Sequence, residues 1–387
     1  MFALTIRFPW ASEEETDWYQ APSTISATVP DTLLAERLRN QQLIDSTRKN
    51  PEDVVSWMVA MQAQDYPAAK WAVGLRAPRC RENDIEQAFN DGRILRTHVL
   101  RPTWHFVTPA DIHWLLALSA PRVHAVNAYY YRQAGLDAKV FKKSCALLHR
   151  ILEGGNVLTR AEIATHFKRA KIPSDGLKLA YVIIQAELDG VICSGPRRGS
   201  QFTYALLDER VKAPRKTKTR EEALAELVKR YFASHGPATA KDFSWWSGFT
   251  IGDTNKTLAA LKPVLESTKI GDLEYWSAEP MAPTRKKVPA FLLPNYDEYL
   301  IAYKDRGAFV AQGGSANLAA RANSALSNHL VVDGKLAGNW SRTLEPTVVR
   351  IQVAPYKKLT TVQQRPVVNA ADCYGEFLGL KPALSIL

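Results

Sequence analysis

The 387-residue chain has only four cysteines, Cys80, Cys145, Cys193 and Cys373, and no two of them form a C-x-x-C pair. A disulfide framework and a cysteine zinc site are therefore not expected, and a reducing compartment fits. Long apolar runs are also lacking: nothing approaches the roughly 20 residues of a membrane span. The N-terminal MFALTIRFPW has too short an apolar run for a signal peptide and lacks a basic leader. No H-E-x-x-H, G-x-S-x-G, Walker loop or strand-linked G-x-G-x-x-G occurs, which removes the common signatures of zinc proteases, α/β-hydrolases, phosphate-loop enzymes and dinucleotide enzymes. Gly313-Gly314-Ser315 reads as a flexible turn rather than a phosphate loop. Acids are outnumbered, 39 Asp and Glu against 50 Lys and Arg, a net charge of +11. That balance suits an anionic partner such as nucleic acid. Ten tryptophans and a hydrophobic fraction of 46% indicate a globular chain long enough for two or three cores. A cytoplasmic protein, associated with the nucleoid when bound to DNA, is expected.

Residues 1–30 read as a loose tail. Residues 31–110 form a first unit. Helical patterns cover 33–43, 51–62, 68–75 and 84–89, and an extended stretch runs from Ile94 to Val107. Asn50-Pro51-Glu52-Asp53 opens the second of these helices with a cap-type residue, a proline at the first position and acids in the first turn. A second unit, 111–211, reads helix, helix, helix, strand, basic loop, strand; Thr159 and Glu162 make a capping box, and Ser174 is the expected cap of a helix over 175–188. A basic linker, 212–222, follows. A third unit, 223–280, repeats the pattern, with a cap signal at Thr239 to Asp242, a helix over 254–266 and a hairpin around Gly271-Asp272. Helix-turn-helix followed by a hairpin is winged-helix order. Residues 281–387 read as β-rich, with strands over 288–293, 330–332 and 348–353 and a tight turn at Asp333-Gly334. The expected class is α+β: three tandem winged-helix units and a C-terminal barrel-like domain.

One stretch organises the chain, Met61-Gln62-Ala63-Gln64-Asp65-Tyr66-Pro67. In a helix, residues two apart point to nearly opposite sides; in an extended segment they face the same way. Pro67 biases Tyr66 away from helix. If the helix ends near Gln62, both amides reach one site, and Asp65, in an extended segment, points away from Gln64. By the same alternation Thr103 and His105 share a face, and Trp104 and Phe106 share the other. His98 is read as a hydrogen-bonded packing residue. Asp65, Asp297, Glu298 and Asp305 are the acids of note, and Asp305-Arg306 reads as a structural pair.

From about residue 33 to the C-terminus the chain resembles the AlkZ-like winged-helix DNA glycosylases. Their hallmark Gln-x-Gln or Gln-x-Asp motif is matched by Gln62-Ala63-Gln64. Similar runs are Leu100-Arg101-Pro102-Thr103-Trp104-His105-Phe106, Leu293-Pro294-Asn295-Tyr296-Asp297-Glu298-Tyr299-Leu300, Tyr303-Lys304-Asp305-Arg306, and Val332-Asp333-Gly334-Lys335 with Trp340. The resemblance implies tandem winged helices around a barrel with a concave DNA surface. It implies a monofunctional glycosylase that removes N-alkylated purines, in some members from bulky or crosslinking adducts. Gln62 and Gln64 are the expected catalytic pair. Arg101, His105, Arg197, Arg198, Lys304 and Arg306 are the expected DNA contacts. No metal or organic cofactor is expected; the partner is double-stranded DNA, and the protein a monomer. The rival class is a non-catalytic winged-helix DNA-binding protein or transcriptional regulator, for which a paired glutamine site is not required.

Overall fold

Asn50 sets the first element that matters for the site: its N–H donates to Asp53 Oδ2 at 3.3 Å, and Pro51 follows at the head of a helix. The computed structural model describes residues 31–213, 215–281, 289–310 and 327–387. The tail and Gly313-Gly314-Ser315 lie outside them. Two helices, α1 (Asp31–Asn40) and α2 (Pro51–Met58), precede a short strand β1 (Met61–Gln62). Helices α3 (Tyr66–Arg76) and α4 (Glu82–Asn90) follow, then the hairpin β2 (Leu95–Val99) and β3 (Thr103–Val107). The sheet order is β1-β3-β2, so the short leading strand adds to the returning strand of the hairpin. Helix α2 was expected to reach residue 62. It ends at Met58, because Val59 takes φ 69° and ψ −53° and cannot continue the helix.

The same arrangement recurs. After the long helix α5 (Pro109–Gln133) come α6 (Ala138–Leu152), β4 (Leu158–Thr159), α7 (Arg160–Arg169), α8 (Lys178–Leu188), β5 (Ile192–Ser194) and β6 (Thr203–Leu206), in sheet order β4-β6-β5. Thr159 and Glu162 form the anticipated capping box of α7. Ser174 does not cap α8, which starts at Lys178. A short helix α9 (Leu207–Arg210) closes this part. Next come α10 (Arg220–Ser234), α11 (Ala240–Ser247), α12 (Ile251–Leu261) and the hairpin β7 (Glu266–Ile270) and β8 (Leu273–Ser277). Here an isolated bridge, Ala238 to Trp276, stands where the short leading strand lies in the other two sheets. Helix α12 starts earlier than residue 254 because Thr250 caps it, accepting from Asp253 N–H.

The last part holds β9 (Phe291–Leu293), α13 (Glu298–Ile301), β10 (His329–Val332), β11 (Lys335–Leu344), β12 (Val348–Pro355), α14 (Thr361–Leu378) and β13 (Lys381–Ile386). Asp333 and Gly334, at φ 52° and 75°, make the anticipated two-residue turn. The expectation of a barrel is corrected: the described strands form one open sheet in the order β13-β12-β11-β10-β9, with β13 parallel to β12. Helix α14, unanticipated, covers this sheet. Its Tyr374 meets Trp71 of α3 edge to face at 4.9 Å. A Cβ on Gly74 would lie 2.6 Å from the Phe377 ring, so only glycine admits this approach of α3 and α14. Trp71 and Trp340 donate their indole N–H groups to the carbonyls of Leu292 and Leu293 at 2.7 and 2.8 Å, tying both to β9. One apolar cluster runs from α3 and α4 into the open sheet and α14, which fixes the first sheet against the last.

Candidate active site

The chain leaves α2 and becomes extended within one residue. Ala60 N–H donates to Met58 O at 2.9 Å across Val59, a γ-turn of the positive-φ kind that a β-branched residue rarely adopts. Met61 then pairs with Phe106 and Gln62 with His105, and Ala63 N–H donates to Trp104 O at 2.7 Å. In this register Gln62 shares one sheet face with His105 and Thr97, while Met61 and Phe106 face the other way; Gln64 lies past the end of β1, outside the paired register. Both glutamines are half-buried. Gln64 Oε1 stands 3.5 Å from Trp104 N, at the outer limit of a hydrogen bond. Asp65 caps α3 instead: Oδ1 accepts from Ala68 N–H and Oδ2 from Asn295 Nδ2, both at 3.1 Å.

The motif's backbone is gripped from both sides. Glu298 Oε1 accepts the Gln62 N–H at 2.8 Å, and Arg96 Nε donates to Ala63 O at 2.9 Å. Arg96 is buried and sandwiched between the rings of Trp104 and Phe202, at 4.1 and 4.6 Å. Glu298 Oε2 accepts from Trp246 Nε1 at 3.0 Å, with His235 Nε2 at 3.6 Å. Burial works to raise the Glu298 pKa, but His235 and the Gln62 N–H overcome it, and the net displacement is below the ordinary value. Behind these, Asp297 takes a bidentate bond from Arg76, both distances 2.9 Å, and Gln41 joins Arg76 to Tyr303.

His105 is fully buried. Its Nδ1 meets Thr103 O at 2.9 Å, so Nδ1 carries the proton and Nε2, without a partner, is an acceptor. Burial, with Arg101 beside it, pushes its pKa down to about 3, so the ring is neutral. His98 bonds Glu187 and packs on Trp104 at 4.5 Å, the packing role anticipated for it.

The anticipated DNA contacts fall into two groups. Arg198 and Lys304 are exposed, Arg198 pairing with Glu162 at 2.7 Å. Arg101, at the tip of the β2–β3 hairpin, and Arg197 are half-buried; Arg197 lies over Tyr66 and Phe202 at 4.9 and 5.0 Å. Arg306 and His105 are buried, Arg306 Nε donating to Leu300 O at 3.0 Å. Asp305 turns to the Gly307 N–H at 2.8 Å and does not pair with Arg306 as anticipated. Sequence reasoning noted Glu298 as an acid without a task and gave Arg96 none. The signal for Glu298 was the run Asn295 to Glu298 itself, three of whose side chains grip β1 and α3.

Two neighbouring amides on a segment gripped by buried charges from elsewhere in the chain are suited to placing a small polar molecule rather than to acid–base chemistry. Comparison with known proteins gives this arrangement its class. The family model described as DNA glycosylase AlkZ-like matches residues 55–377, and the chain belongs to that family. An interstrand DNA cross-link repair glycosylase from Streptomyces sahachiroi is 26% identical over 333 residues, 82% of this chain and 89% of that protein. The solved structure of Streptomyces sahachiroi DNA glycosylase AlkZ has the same fold, with a TM-score of 0.77 at 22% identity over 92% of this chain and 99% of that one. Among the described residues no helix is long and apolar enough to cross a membrane.

Proposed function

We propose that the protein is a monofunctional DNA glycosylase that hydrolyses the N-glycosidic bond of N-alkylated, cationic purines in duplex DNA. Bulky or crosslinking adducts fall within its range, as the repair activity named for the Streptomyces relative suggests. The observation that carries the reading is the Gln62-Ala63-Gln64 segment at the end of β1, both amides half-buried and the backbone fixed at Gln62 and Ala63. An amide is no base near neutral pH, but it donates and accepts hydrogen bonds and so holds a water. A purine alkylated at N7 or N3 already carries positive charge and departs without a proton. The site's task is then to place the water beside the anomeric carbon and to tolerate an oxocarbenium-like sugar; positioning and oriented dipoles supply rate for both. We read the three helix-and-hairpin groups as tandem winged-helix units that present a basic surface to the duplex, with Arg198 and Lys304 at phosphates.

The test is excision from duplex DNA carrying a single N7-methylguanine, read as alkali-labile abasic sites. The wild type is expected to cut. Gln62→Ala/Gln64→Ala is expected to abolish cutting and to bind the duplex as the wild type does. Full excision by the double variant would remove the site assignment. Tight binding with no excision of this or a crosslinked lesion by the wild type would favour a DNA-binding regulator.

A further inference from the structure

Asp297 and Glu298 are adjacent, and their partners differ. Asp297 and Arg76 are both unexposed and neutralise each other through two hydrogen bonds. Glu298, equally buried, has no lysine or arginine nitrogen within 4.0 Å among the described residues; its one ionisable partner is His235. Each of its oxygens takes a neutral N–H instead, Oε1 from the Gln62 backbone and Oε2 from the Trp246 indole. N–H donors on both oxygens stabilise the carboxylate form, in keeping with a pKa held below the ordinary value. Keeping such a charge buried without a lysine or arginine opposes folding. Groups of this kind concentrate where chemistry uses them.

We propose that Glu298 is a positioning residue for glycosidic-bond hydrolysis: it fixes the Gln62 peptide through Oε1 and supplies a fixed negative charge to the region where the sugar becomes cationic. This rests on the glycosylase reading of Gln62 and Gln64. In that reaction the C1′–N9 bond breaks with its electron pair going to the alkylated purine, which leaves neutral. Positive charge passes to the sugar, the water oxygen bonds C1′, and the water's proton goes to solvent. Glu298 forms no bond at any step. A carboxylate already held by oriented N–H groups needs no reorganisation as the charge appears, the condition under which electrostatic stabilisation is most effective. Asp297, neutralised by Arg76, exerts no comparable field.

The experiment compares wild type with Glu298→Gln in single-turnover excision of N7-methylguanine. It also measures binding to two uncleavable duplexes, one with a neutral tetrahydrofuran abasic analogue and one with a cationic pyrrolidine analogue. Glu298→Gln is expected to slow excision roughly 10- to 100-fold. It should bind the neutral duplex as the wild type does and lose the wild type's preference for the cationic one. An equal loss of both affinities, or an undiminished rate, overturns the proposal while leaving the glycosylase reading intact. A wild type that excises no lesion removes that reading and this one with it. Should Glu298→Gln not fold, as judged by circular dichroism, Glu298→Asp decides: it keeps the charge and is expected to keep the cationic preference, and losing it while folded overturns the proposal.

Discussion

His105 is a buried imidazole whose neutrality is part of the native state. In the unfolded chain it titrates near 6.5, and in the folded chain at about 3. Only the unfolded form takes up the proton between these values. Its contribution to stability is therefore complete above pH 6.5 and is lost as the pH falls toward 3. Burial pushes His235 in the same direction. Unfolding free energy measured in urea from pH 7 down to 5 is expected to decline, and His105→Gln to remove about 1.4 kcal/mol per pH unit of that decline. An unchanged slope would mean that the ring is solvated. The glutamine pair stood out through the family resemblance, since locally a Gln-x-Gln triplet reads equally well as a polar helix end; the extended backbone after Met58 is the part that Pro67 hinted at. The turn at Val59 was not legible, since a valine is a poor choice for positive φ and only the tertiary hold on β1 stabilises it. The burial of Arg306 was not legible for a related reason: an arginine beside a lysine and an aspartate reads as surface, and nothing local says that the Leu300 carbonyl will draw it inside.

Helix α14 covers the open sheet and carries Tyr374 and Phe377 onto Trp71. Phe377 is almost fully buried, and Gly74 opens the space for its ring. Phe377→Ala is expected to cost about 3–5 kcal/mol in urea unfolding; a loss below about 1 kcal/mol would show that α14 is not part of the cooperative core. The sequence did carry signals for this helix. Thr360 and Gln363 make a capping box, and Gly379 ends it at φ 67°. The helix-and-hairpin groups were easier, because caps at Thr159, Thr219 and Thr239 and turns at Gly92, Gly190 and Gly271 punctuate them locally. The openness of the last sheet was not readable: alternation along a strand says which face is buried and nothing about whether its edges meet.

The whole molecule carries a net charge of +11, so duplex affinity is expected to fall steeply with salt. Arg198 is exposed and held by Glu162. If it also meets a phosphate, Arg198→Ala weakens binding equally across sequences and lowers the slope of log affinity against log salt by about 0.9. A titration in potassium chloride with an unrelated duplex checks this, and an unaltered slope would place the contact elsewhere. The long reach of the site's anchors has another consequence. Gln62 and Glu298 are 236 positions apart, and Asp65 and Asn295 are 230. At a synthesis rate of about 5–20 residues per second, the acid follows the glutamine out of the ribosome by roughly 12–47 seconds. Throughout that interval the Gln62 N–H lacks the carboxylate that holds it, and Asp65 lacks Asn295, although Arg96 is already present. On the glycosylase reading, a chain terminated before Glu298 is expected to leave N7-methylguanine uncut, so the lesion meets a competent site only after three-quarters of the chain has been made.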